Sequence, residues 1–213
     1  MEISFNQQKQ KRKRSKLTMS GNDSDSDSDS SSKNELVSRI NNNIYFYDDV
    51  TNKSVVKLIK LLKHATDYVE QMNIKTNGAG HIYLHICSRG GSVFTGLAAM
   101  DAIQSNPVPV TTVMEGSVCS AATFIALGGA TVTIRPSAYV LIHQITSRFW
   151  GKYEEFHDEK QTLDKLMKRL RSLYNNKTSI PSRVLDKMFK HDIYIDADDA
   201  IKWKIVHKVF IPS

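Results

Sequence analysis

The sequence predicts an α/β domain built from repeated βαβ units around a mostly parallel sheet. Short apolar runs rich in β-branched residues, such as Ile82 to Ile86, Val110 to Met114 and Thr131 to Ile134, alternate with segments of helical periodicity. Two of the turns that follow strands hold small residues, Gly90-Gly91 and Gly116-Ser-Val-Cys-Ser120. Both fall at the carboxyl edge of the same predicted sheet, the edge where such proteins bind ligands.

A chain of 213 residues is long enough for one such domain with a substantial core. No apolar run reaches bilayer-spanning length, and the N-terminus has no apolar signal core, so neither a membrane span nor a secretory leader is expected. Cys87 and Cys119, the only 2 cysteines, form neither a CxxC pair nor a disulfide framework and suit a reducing compartment such as the cytoplasm. Residues 1–38 hold seven Lys/Arg and six Asp/Glu, so they contribute +1 of the net +7 and leave +6 for the body. Much of that charge lies between Lys152 and Arg171 and reads as a solvated helix face. No zinc-finger spacing or basic-aromatic strand motif is present, so no nucleic-acid partner is expected for the domain.

Residues 1–35 read as a disordered tail, a basic run (Lys9 to Lys16) followed by a Ser/Asp run (Asn22 to Ser32), because so few apolar residues cannot offset the entropy of ordering. The basic run leaves a nuclear or organellar address open. Order is expected from Leu36 onward, over residues 36–213. Ile44 to Tyr47 is a short strand, and Val55, Leu58, Ile59, Leu62, Ala65, Val69 and Met72 mark one face of a long helix. After the strand Ile82 to Ile86 comes a helix with Val93, Leu97, Met100 and Ile103 on one side, ended by Asn106-Pro107. The strand from Val110 to Met114 then leads into the turn at Ser120 and a small-residue helix. Strands at Thr131 to Ile134 and Tyr139 to Ile142 follow, the latter ending in His143-Gln144. A charged helix from Gly151 to Tyr174 carries the apolar stripe Phe156, Leu163, Leu166, Met167, Leu170 and Leu173, which points to packing against a neighbour, including another subunit. Short helices end near His191-Asp192 and span Ala197 to Ile201, and Ile205 to Phe210 closes the chain as a strand.

Ser120 stands where a strand turns into a helix, beside free N–H groups and the positive end of the helix dipole, where a nucleophilic serine is useful. Consecutive glycines at 90 and 91 allow close backbone approach to a ligand. Taken singly, Ser120 reads as a helix cap, Gly90-Gly91 as a tight turn, His143 as a core histidine and Asp192 as a surface acid. Their order and context change that reading. Ser88-Arg89-Gly90-Gly91-Ser92 resembles the Ser-Pro-Gly-Gly-Ser of the Clp protease proteolytic subunits, and Ser117-Val-Cys-Ser120-Ala-Ala-Thr-Phe is similar to their Gln-Ala-Ala-Ser-Met-Gly-Ala-Phe. Leu141-Ile-His143-Gln144 resembles Met-Ile-His-Gln, and Asp192-Ile-Tyr-Ile-Asp-Ala-Asp-Asp-Ala200 resembles Asp-x-Phe-x-Ser/Thr-Ala-Glu-Glu-Ala.

The resemblance covers roughly residues 36 to 210. It implies a Clp/crotonase-like fold with a projecting handle helix at about 151–174, and a serine endopeptidase. In that role Ser120 is the nucleophile, His143 the base and then acid, and Asp192 the group orienting the imidazole, while the N–H groups of Gly91 and Ala121 form the oxyanion hole. It implies no metal or cofactor on this chain. The implied partners are further copies in one or two seven-membered rings, an ATP-consuming AAA+ unfoldase docked at a cleft that includes Tyr83, and polypeptide substrates. Departures are Arg89 and Ile145 for prolines, Thr146 to Trp150 for a glycine-rich groove strand, His85 for a cleft aromatic, and His191 for an arginine that couples rings. The last makes pH-sensitive ring pairing an expectation, which sedimentation above and below neutrality tests. Three alternatives stay open: a catalytically weak or inactive structural subunit of a mixed ring, a capsid maturation protease, and an acyl-CoA enzyme of the crotonase type.

Overall fold

A computed structural model of the chain describes residues 35–211 except 77 and 79. Apart from Glu35, the tail expected over residues 1–35 lies outside the described residues. The chain opens with an antiparallel hairpin of β1 (Val37–Ile40) and β2 (Asn43–Phe46), turned at Asn41 in the left-handed region (φ 54°), which asparagine tolerates well. The elements α1 (Asn52–Thr76), β3 (Ile82–Ser88), α2 (Val93–Gln104), β4 (Val110–Cys119), α3 (Ala122–Leu127), β5 (Thr131–Ile134) and β6 (Tyr139–Leu141) follow. The C-terminal part holds α4 (Tyr153–Lys177), α5 (Ser182–Lys190), β7 (Tyr194–Ile195), α6 (Ala197–Lys202) and β8 (Lys208–Val209).

The main sheet runs β1-β2-β3-β4-β5-β8, with β6 on β4 and β7 on β6; only β1–β2 and β6–β7 are antiparallel. Helices α1 and α3 pack on its centre, where Ile82, Leu84, Ile86, Val113 and Met114 are fully buried. Each such residue contributes about 1.5–3 kcal/mol of apolar burial. The strand that organises the site is β4. Its first half (Thr111 to Met114) pairs with β5 and its second (Ser117 to Cys119) with β6, the change falling at Gly116, whose φ of 54° re-aims the strand.

Several expectations are corrected in detail. On α1, Val55, Leu58, Leu62, Ala65 and Val69 are buried, whereas Ile59 and Met72 are 40% and 37% exposed, because the expected stripe is wider than the sheet edge it covers. The buried face of α2 is Thr95, Gly96, Ala99, Met100 and Ile103, with Val93 and Leu97 only half-buried. Small residues face inward there because α3 lies so close that a Cβ on Gly96 would come within 2.8 Å of the Ala121 carbonyl oxygen. Of the strand expected over Ile205 to Phe210 only Lys208–Val209 forms, since the N–H groups of Ile205 and Val206 both donate to Ala200 O and close the end of α6. The strands β1 and β7 were not expected. The helix α4 is buried only near its C-terminal end, at Leu170, Leu173 and Tyr174, while Phe156 is 50% exposed, so its N-terminal turns stand out from the body as a handle does. Among the described residues no helix is long and apolar enough to cross a membrane.

Candidate active site

Ser120 sits between β4 and α3 with φ 55°, a left-handed conformation that costs a non-glycine residue about 1–2 kcal/mol. Such strain persists only where surrounding bonds dictate it, and it concentrates at functional sites. Here the Ser120 N–H donates to Leu141 O (2.8 Å) on β6. Its carbonyl accepts from both the N–H (2.9 Å) and the hydroxyl (2.7 Å) of Thr123. With its one proton committed to that carbonyl, the Thr123 hydroxyl accepts from Tyr174 Oη at 2.7 Å. Tyr174 is 2% exposed at the root of α4, and burial holds its phenol proton far above the ordinary tyrosine range, so it stays a donor. The handle helix is thereby tied to the serine turn. Neither Thr123 nor Tyr174 is among the residues expected from the sequence, although a threonine inside the apolar run Ala121 to Leu127 is the signal that points to it.

The glycine pair lies against this turn. Gly90 (φ 96°) is so close that a Cβ there would come within 2.6 Å of Cys119 O and 2.8 Å of Ser120 Cβ. Gly91 (φ 148°) bridges to Val50, whose N–H donates to Gly90 O (2.7 Å) and whose carbonyl accepts from Ser92 N–H (2.9 Å). Among the described residues the Gly91 and Ala121 N–H groups donate to no backbone carbonyl. Two unused donors on adjoining turns beside a serine are the components of an oxyanion site. Cys119, next in the chain to Ser120, is buried, and that burial raises its thiol pKa against the lowering by Ser117 and Tyr194, which makes it a poor nucleophile.

Sheet register brings the other two candidates to the same edge. Cys119 pairs with Leu141 in the parallel β4–β6 ladder, and Leu141 pairs with Tyr194 in the antiparallel β6–β7 ladder. Continuing both registers puts Ser120 beside Ile142 and sets His143 opposite Asp192. His143 is half-buried and Asp192 exposed, and both line a cavity of about 460 Å³ with Gln144, Thr146, Phe189 and His191. Among the described residues the Ser120 hydroxyl, the His143 ring and the Asp192 carboxylate form no hydrogen bonds to one another. The backbone thus brings the three residues to one edge of the sheet with no hydrogen bond among their side chains. Residues 142–152 form neither helix nor strand; Ile145 N–H donates to Met167 Sδ (3.4 Å), Phe149 packs on Phe156, and Trp150 is fully exposed. Arg89 is exposed at the rim and pairs with Asp49 at 3.7 Å.

Tyr83 belongs to a separate cleft of about 900 Å³, where its ring meets Phe210 edge-on with centroids 6.0 Å apart. His85, Arg135 and Lys208 share its lining. Phe210 reaches it from beyond β8, a placement that periodicity does not reveal.

Comparison with known proteins accords with this geometry. The chain is 35% identical over 134 residues, 61% of its length and 68% of the relative's, to the chloroplastic ATP-dependent Clp protease proteolytic subunit 1 of Arabidopsis thaliana. The family model described as Clp protease matches residues 32–212. With that match extending over β1 to β8 and every turn of the site, the chain belongs to the Clp protease family.

Proposed function

We propose that the chain is the proteolytic subunit of a Clp-type ATP-dependent protease, a serine endopeptidase that cleaves unfolded polypeptides inside an oligomeric chamber. Ser120 Oγ attacks the scissile carbonyl as His143 takes its proton. The resulting oxyanion accepts from Gly91 and Ala121 N–H, donors of a kind that contribute about 3 kcal/mol each. The protonated His143 then gives its proton to the departing amine. Water, activated by the same imidazole, hydrolyses the acyl-enzyme and restores the serine. Asp192 accepts from the far ring nitrogen, which fixes the tautomer and stabilises the imidazolium. The observation that carries this reading is the convergence of a strained Ser120 with two unused N–H groups at the edge where β4 and β6 end and β7 begins.

The chain itself uses no metal or cofactor; ATP is consumed by an AAA+ unfoldase docked at the Tyr83 cleft. One or two seven-membered rings assemble through the projecting part of α4, whose exposed Tyr153 and Phe156 need a partner. The unpaired cysteines suit a reducing compartment, the cytoplasm or an organelle interior. The unclosed hydrogen bonds among Ser120, His143 and Asp192 favour a second reading, a structural subunit of a mixed ring. Degradation of an unfolded protein by the assembled subunit with its unfoldase and ATP decides between them. Peptide release that disappears in Ser120→Ala supports the peptidase, and no release by the assembled wild type supports the structural role.

A further inference from the structure

The wall of the Tyr83 cleft contains a buried histidine with an oxygen against each ring nitrogen. His85 is 6% exposed and stacks on Tyr45 with ring centroids 4.8 Å apart. The polarity of its contacts can be traced from a group that only accepts, the His81 carbonyl. Asn42 Nδ2 donates to His81 O (2.8 Å), so Asn42 Oδ1 accepts from Asn43 Nδ2 (3.1 Å). Asn43 therefore turns Oδ1 toward His85 Nε2 (3.2 Å). On the other side Nδ1 faces Glu115 Oε1 at 3.0 Å, and that oxygen also accepts from Arg135 Nε at 2.9 Å. Burial raises the Glu115 pKa, but hydrogen bonds from Tyr47, His85 and Arg135 outweigh it and keep the carboxyl ionised. Each ring nitrogen of His85 therefore faces an oxygen, Asn43 Oδ1 on one side and Glu115 Oε1 on the other.

The cleft is cationic: Arg135 and Lys208 contribute two positive charges and Glu115 one negative, a net +1. Arg135 lies over the Phe210 ring at 4.6 Å with its two Nη groups free of hydrogen bonds among the described residues, where Lys208 likewise has no ion pair. Tyr83 and Phe210 supply an apolar surface beside these unmatched donors. We propose that the cleft receives a segment of a partner protein in which an acidic side chain adjoins an apolar one, the apolar group on Tyr83 and Phe210 and the carboxylate on Arg135 and Lys208. That the partner is an unfoldase rests on the function proposed above; the charge requirement does not.

Calorimetric titration of the assembled protein with acetyl-Gly-Leu-Phe-Asp-Gly-amide and its Asn counterpart tests this. The Asp peptide is expected to bind about tenfold more tightly, and the gap to shrink with added salt. Lys208→Gln, an exposed change, narrows the gap. Equal affinities, or no binding by either peptide, overturn the proposal. A peptide of residues 22–32, the chain's own Ser/Asp run, binding more tightly than the Asp peptide overturns the assignment to a partner. Fluorophosphonate labelling in the same samples separates the two readings. Labelled protein without peptide discrimination sinks the cleft proposal alone, and discriminating protein without labelling sinks the peptidase alone.

Discussion

Replacing Gly90 by alanine tests whether the two loops form one site. At φ 96° an L-residue carries about 1–3 kcal/mol of backbone strain. The new methyl would also lie 2.6 Å from Cys119 O, 2.8 Å from Ser120 Cβ and 3.1 Å from Ala121 N, so a backbone must move, at about 1–3 kcal/mol for overpacking. The sum, about 2–6 kcal/mol, leaves most domains of this size folded but displaces the serine turn. A displacement approaching 1 Å costs on the order of a hundredfold in rate. Gly116→Ala is the control, because it sits in the left-handed region as well (φ 54°) but meets only the Cys87 thiol at 3.0 Å. Urea unfolding and the rate of fluorophosphonate labelling, measured on assembled protein, give the comparison. Gly90→Ala is expected to lose both stability and labelling, and Gly116→Ala about 1–2 kcal/mol of stability with its labelling rate kept. Wild-type labelling by Gly90→Ala would refute the claim that this glycine positions Ser120.

Three further outcomes are expected. Tyr174→Phe costs about 1 kcal/mol and Thr123→Val about 2 kcal/mol in urea unfolding, with the double variant no worse than Thr123→Val, since both act through the one hydroxyl pair; additive losses would contradict the shared bond. Phe156→Glu places charge on the exposed part of α4 and should dissociate the assembly in sedimentation while leaving the subunit's melting temperature nearly unchanged; an intact assembly would refute packing through that face. Glu115→Gln should cost about 1–3 kcal/mol at neutral pH by leaving donors of Tyr47, His85 and Arg135 short of an acceptor. Because the folded-state Glu115 pKa is lowered, its stabilisation is complete above the ordinary carboxylate range and fades as pH falls through the folded value. The difference between wild type and variant should therefore narrow in acid, and a gap that widens would contradict the pairing.

Periodicity made the central βαβ units, the handle helix and the strand-to-helix turn at Ser120 legible, because each reflects a local rule of burial or turn chemistry. What escaped was set by distant partners. The short strand β7 exists because it pairs with β6, and two residues carry too little pattern to announce it. The path of α2 followed its neighbour, since Gly96 lets α3 approach closely and thereby moves the buried face off Val93 and Leu97. Motif order singles out Ser120, His143, Asp192 and the glycine pair, but it marks residue types and not their register. The tie from Tyr174 through Thr123 to the Ser120 carbonyl spans 51 residues between its two hydroxyls and had no counterpart in the motifs. The contacts of His85 with Asn43 and Glu115 could not be read from sequence at all, because they join residues that lie 42 and 30 positions apart.

The proposed activity depends most directly on Ser120 being the nucleophile. Peptide mapping by mass spectrometry of the assembled protein after fluorophosphonate treatment reads that assignment without any partner. A single phosphonyl adduct on Ser120, absent from His143→Ala and Asp192→Ala or formed far more slowly there, is the predicted result. An adduct on Cys119 or on another serine, or no adduct on the intact assembly, would contradict it.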